Sequence, residues 1–190
     1  MGMALAVVGL VILGLIVLAA LWVVFKYNQL ISLRNRIENA WSQIDVQLRR
    51  RYDLIPNLVE TVKGYAAHEK EVFAKVSEAR SAMMSAQGVA QQAEAQNQIT
   101  SALKTLFAVA EAYPQLKANE NFMMLQEELS GTESKIAYAR QFYNDQVMTY
   151  NTLTQMFPGS IIAGMFSFGK RDYFEMEDIA REPIKVDFNS

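Results

Sequence analysis

Residues 1–25 carry no charged side chain; 22 of them are apolar and the others are Gly2, Gly9 and Gly14. As a helix this run rises about 37 Å, more than the roughly 30 Å of hydrocarbon in a bilayer. A cleaved signal peptide would need a positive leader and a shorter apolar core, and no basic residue precedes this one. A buried helix of a soluble domain rarely goes this far without a polar side chain. The pattern predicts a membrane span from Met3 to Phe25, with Trp22 and Tyr27 as interfacial aromatics and Lys26 as the snorkelling edge. Residues 1–26 are thus expected to anchor the chain. Only Met1 and Gly2 precede the span, with no basic side chain, whereas Lys26, Arg34 and Arg36 follow it. The positive-inside rule then predicts an outside N-terminus and a cytoplasmic body.

All 18 basic and 20 acidic residues fall in the remaining 165 positions. A net charge of −2 argues against a dedicated nucleic-acid binder. The absence of cysteine excludes disulfides, thiolate metal sites and cysteine nucleophiles.

The body reads as all-α. Leu30, Leu33, Ile37, Trp41, Ile44, Leu48, Tyr52 and Ile55 recur in steps of three and four, one helical stripe that continues the membrane helix. Pro56 removes a hydrogen bond. The stripe resumes at Val59, Val62, Tyr65, Ala66, Phe73 and Val76, which predicts one kinked helix over 27–86. Residues 88–98, rich in Ala, Gln and Asn, read as a polar helix end or a joining loop. Further helices are predicted over 97–113, stopped by Pro114, and over 119–157, stopped by Pro158-Gly159. Together, 27–158 form an elongated antiparallel bundle of long helices. The tail, 159–190, is expected to be irregular or a small hairpin, packing on the bundle or on a partner. Its strip of Ile161, Ile162, Met165, Phe166 and Phe168 is a candidate partner surface.

Chemistry is sparse. The single histidine, His68, has neither a second histidine nor a cysteine to share a metal. Neither a nucleophile elbow nor a glycine-rich phosphate loop occurs. Di-metal bundles need Glu-x-x-His pairs, which one histidine cannot supply. No catalytic residue, cofactor or metal is therefore expected. Glu133, Arg140 and Asn144 are candidates for polar contacts along the last long helix, Arg140 and Asn144 being i,i+4 neighbours. The basic run Arg49-Arg50-Arg51 stands about 36 Å beyond Phe25 on a straight helix, far outside a Debye length of about 8 Å from the membrane surface. Residues 26–75 hold nine basic and six acidic groups, while 76–190 hold nine and fourteen. Pairing of these arginines with Asp45, Asp53 or the acidic later helices is the expectation.

Four runs in order resemble the LemA family of bacterial membrane-anchored proteins: 34–48, opening Arg34-Asn35-Arg36-Ile37-Glu38-Asn39-Ala40-Trp41; 50–66, with Asp53-Leu54-Ile55-Pro56-Asn57; 111–122, opening Glu111-Ala112-Tyr113-Pro114; and 139–145, Ala139-Arg140-Gln141-Phe142-Tyr143-Asn144-Asp145. The resemblance extends over essentially the whole chain. It implies an N-terminal membrane segment, a helical bundle and a bacterial inner-membrane location, with no established enzymatic activity to carry over. Some members resemble lipoproteins with a boundary cysteine; this chain lacks one, so its topology rests on Lys26, Arg34 and Arg36.

Two functions fit. One is a self-associating scaffold that organises or remodels the envelope, touching lipids through its anchor and other copies through its body. The other is an adaptor for a membrane-protein partner such as a quality-control protease. Around Pro56, residues Arg51, Asp53 and Asn57 are candidates for an assembly surface; the alternative is a bend that merely wraps the bundle. Pro56→Ala separates these two: an altered oligomeric state is expected for an assembly role, and an unchanged oligomeric state with unchanged function excludes it.

Overall fold

The computed structural model describes residues 2–175. The tail expectation for 176–190 lies outside the described residues. The helices are α1 (Gly2–Lys63), α2 (Lys70–Ser85), α3 (Gly88–Glu111), α4 (Pro114–Lys117), α5 (Glu120–Gln155) and α6 (Gly159–Met165), and no strand occurs among the described residues. The all-α expectation holds. α1 and α5 each run through two compact units.

The first unit comprises Met1–Val46 and Ala137–Asp172. From Gly2 to Leu21 every residue of α1 is exposed. Among the described residues α1 is the one helix long and apolar enough to cross a membrane. An apolar surface of this extent without protein cover has the character of a membrane anchor. Beyond it, Leu30, Leu33, Ile37, Ala40 and Ile44 are buried, as the stripe requires. On this part of α5 the buried apolar set is Ala139, Tyr143, Val147 and Tyr150, again in steps of three and four. Trp41 meets Tyr143 edge to face at 5.5 Å between ring centroids. The segment after α6 is pinned by Asn151, whose Nδ2 donates to the Arg171 carbonyl at 2.8 Å while its Oδ1 accepts from the Arg171 N–H at 2.9 Å. The Tyr143 hydroxyl donates to the Asp172 carbonyl at 3.0 Å.

The second unit comprises Gln47–Ile136 and the described residues from Tyr173. Its core gathers Ile55, Leu58 and Val62 of α1, Phe73 and Val76 of α2, Ile99, Leu103 and Leu106 of α3, Leu116 of α4, and Phe122, Leu125 and Leu129 of α5. α5 starts on a side-chain cap: Asn119 Oδ1 accepts from the Phe122 N–H at 3.0 Å, satisfying one of the donors a helix start leaves open. Asn119 Nδ2 also donates to the Tyr65 hydroxyl at 3.0 Å.

Three expectations need correction. α1 passes through Pro56 but ends at Lys63, so 27–86 is two helices rather than one bent one. The reason is visible in the stripe: after Ala66 the next inward positions would be 69 and 70, which are Glu69 and Lys70. Gly64, a weak helix former, begins the turn, and the Tyr65 and Ala66 N–H groups both close on the Val62 carbonyl, at 3.0 and 2.9 Å. α3 starts at Gly88 rather than near 97. Ala and Gln are strong helix formers, and Ala93, Ala95 and Gln96 are buried. Gln91 supports that start by accepting from the Gln87 N–H at 2.9 Å. The third correction concerns the tail, which carries the helix α6 rather than a hairpin, with Ile162 and Ala163 buried.

α6 depends on a close approach. A Cβ on Gly159 would overlap the Leu153 carbonyl oxygen, whereas a Cβ on Gly164 meets nothing within 4 Å. Gly159→Ala is expected to destabilise the chain by about 1–3 kcal/mol. Gly164→Ala is expected to be neutral or to gain about 0.5–1 kcal/mol of helix propensity. Denaturant titration of the two variants in detergent, followed by circular dichroism, checks the contrast; equal midpoints would show that α6 does not need the approach.

Candidate functional site

The most elaborate polar arrangement in the second unit is built on one buried cation. Leu48, Arg51, Ile55 and Leu58 follow each other in steps of three and four, so Arg51 occupies a core position of α1. Its side chain is 1% exposed. Its Nη1 donates to Gln96 Oε1 at 2.7 Å, and its Nη2 donates to Thr100 Oγ1 at 2.9 Å, both on α3. Nη2 also pairs with Glu133 Oε1 on α5. One planar guanidinium thus ties three helices together, which its fixed fork of donors allows and a lysine ammonium could not reproduce. Its Nε is buried with no partner.

Electrostatics follow from the burial. Desolvation holds the Arg51 guanidinium below its ordinary value, with the Glu133 carboxylate opposing the shift. Burial likewise raises Glu133 above its ordinary 4.5, opposed by Arg51. For both partners the loss of water outweighs the mutual attraction. Arginine remains protonated in proteins, so Glu133 is the group of the pair that titrates. Beside it, Arg50 pairs with Glu128 at 2.5 Å on the exposed side.

Of the four residues expected at the Pro56 surface, Arg51 is not on it. Arg51 faces the core, while Asp53 and Asn57 are exposed and Pro56 is half-buried. Arg51 therefore cannot belong to an exposed assembly face. Glu133 pairs with Arg51 in the second unit, and Arg140 and Asn144 lie on the part of α5 that belongs to the first unit. Residues Gln96 and Thr100 escaped the sequence reading; the available signal was a basic residue at an inward register between Leu48 and Ile55.

The expected partner strip is split. Ile162 is buried, Ile161, Met165 and Phe166 are exposed, and Phe168 is half-buried. Also on the first unit lies an open groove of about 530 Å³, lined by Asn28, Ile31, Ser32, Asn35, Arg36, Asn39, Gln43 and Phe142. Among the described residues no group of three or more His, Asp or Glu side chains is placed to hold a metal ion.

A family model described as the LemA family matches residues 40–188, beginning beyond the apolar segment and taking in Arg51, Gln96, Thr100 and Glu133. Similar proteins include Magnetosome protein MamQ 2 of Paramagnetospirillum magneticum and Magnetosome protein MamQ of Magnetospirillum gryphiswaldense, each 24% identical over 84% of this chain and 68% of its own length. Protein LemA of Metamycoplasma hominis is 25% identical over 84% of this chain and 73% of its own length.

The raised Glu133 value makes a signed prediction. Its contribution to stability is fully present below the ordinary 4.5 and is lost as pH rises through the raised folded value. Subtracting the denaturation midpoint of Glu133→Gln from that of the parent across this pH range isolates the effect. The difference should favour the parent at the acid end and decline as pH rises; a flat difference would refute the shift. Arg51→Ala is expected to cost about 2–3 kcal/mol at neutral pH, because Gln96 loses its partner inside the core.

Proposed function

This chain belongs to the LemA family, and from that premise we propose that it is a non-enzymatic, membrane-anchored scaffold that self-associates and helps organise or remodel a bacterial envelope. The observation that carries the reading is the continuity of α1, 62 residues running from the uncovered apolar segment into the helical body. A domain on a flexible linker samples many attitudes. A domain on an unbroken helix does not, so copies anchored in one membrane meet in a common orientation at high effective concentration. The bundle is read as antiparallel, and the charges of Lys26, Arg34 and Arg36 favour the cytoplasmic side of the inner membrane for it.

The same helix offers a face for lateral contact. Asn28, Ser32, Asn35, Asn39, Ser42 and Val46 are all exposed and recur in steps of four and three, the spacing of a coiled-coil seam. Amide side chains donate and accept at once, so two such faces can pair without leaving a polar group unmet. Asn at seam positions fixes register at some cost in stability, which suits regular lateral packing.

The test is the mass of the full-length chain purified in mild detergent, measured beside a form lacking residues 1–25. A large regular assembly that requires the apolar segment is expected. Asn35→Lys combined with Asn39→Lys, which sets like charges against each other across the seam, is expected to break it into small species with unchanged helicity. A monomer in both parent and truncated forms would overturn self-association and favour the adaptor role.

A further inference from the structure

The exposed apolar residues around α6 are held beside the end of the membrane segment. Tyr27 lies two residues past Phe25, about 3 Å further along the helix. Phe166 packs edge-on against Tyr27 with ring centroids 4.8 Å apart, and Phe168 does so at 5.7 Å. A second contact agrees on the level. From Trp41 back to Tyr27 is about 21 Å of α1, and from Tyr143, against which Trp41 packs, to the end of α5 is about 18 Å. α5 therefore runs out at the height where Phe166 meets Tyr27.

At that height the chain leaves an apolar surface uncovered. Phe157 is 80% exposed, Met165 67% and Ile161 51%, while the opposite side of α6 is buried through Ile162 and Ala163. Lys170 and Arg171 follow as exposed cations, with Asp172 the acidic neighbour. The Asn151 hydrogen bonds to Arg171 fix this segment to α5. Apolar side chains flanked by cations are the composition of an element lying in the headgroup region, where the side chains enter the acyl boundary and the cations meet lipid phosphates.

We propose that α6 and its flanks, chiefly Phe157, Ile161, Met165 and Phe166, form an interfacial foot that enters the bilayer surface beside the span, with Lys170 and Arg171 on anionic headgroups. Rather than docking a protein partner, this part of the expected strip binds lipid, because its apolar surface adjoins that of the span and its rim is cationic. The foot gives the chain a second contact with the same membrane and fixes the rotation of α1 about its own axis. The proposal rests on residues 3–25 spanning the bilayer.

The chain contains no cysteine, so single cysteines carrying a nitroxide report one site each in the full-length protein. The chosen sites are Met165→Cys in the foot, Leu13→Cys in the span and Tyr138→Cys, an exposed α5 site beyond Tyr143. The protein is reconstituted into phosphatidylcholine vesicles containing phosphatidylglycerol, and collision with oxygen is compared with collision with a water-soluble nickel chelate. The Met165 label is expected to be rich in oxygen and poor in nickel collisions, at a depth of about 5–10 Å. Leu13 should behave likewise and Tyr138 in the opposite way. A nickel-accessible Met165 beside a lipid-exposed Leu13 overturns the foot and leaves the anchor intact. A Met165 label shielded from both reagents also overturns it, since a second copy or another protein then covers the site. A nickel-accessible Leu13 overturns the anchor and the foot together.

Discussion

The backbone hydrogen-bond ladder of α1 is the constraint on which the rest of the structure depends. It satisfies every internal polar group of an apolar segment that has no side chain with which to do so, the condition for residence in hydrocarbon. The same ladder continues into a helix whose inward positions are Leu30, Leu33, Ile37, Ala40 and Ile44 and then Ile55, Leu58 and Val62. One element thus joins two patterns of apolar residues. Residues 2–21 place apolar groups on all sides, and the later residues confine them to one stripe.

Within the second unit, the charge of Arg51 is admitted to the core and tied down there. Arg51 is costly to bury, and its unpartnered Nε shows that the arrangement is not a complete set of matched bonds. What it provides is geometry. A guanidinium that must reach Gln96, Thr100 and Glu133 together tolerates one relative register of α1, α3 and α5, whereas leucine and isoleucine contacts accept small slips.

Much of the fold was legible because its signal is periodic. Residues such as Leu103, Leu106, Leu125, Leu129, Tyr143 and Val147 lie where steps of three and four place them. The break after Lys63 was written in the same register, in Glu69 and Lys70 at positions that a continuing helix would bury. The apolar matches on either side masked it. α6 was harder to read, since glycines among apolar residues serve a short helix as well as a hairpin; Gly159 decides through a backbone approach to Leu153 that no local pattern encodes. The Arg51 site was partly legible. A charge at a core register marks a buried cation, but its partners lie 45 to 82 residues away along the chain, a separation that periodicity does not span.

With residues 3–25 proposed as the span, the continuity of α1 carries a mechanical consequence. Its apolar stretch of residues 3–25 is about 34 Å long, a few ångströms more than the hydrocarbon thickness of an average bilayer. Such an excess is absorbed by leaning the helix or by thickening the lipid around it. With no joint between Phe25 and Leu30, a lean of the span is also a lean of the helix that follows. On the proposed span, local bilayer thickness would be converted into the angle at which residues 27–46 of α1 leave the membrane, a thinner patch of lipid setting a steeper lean than a thicker one.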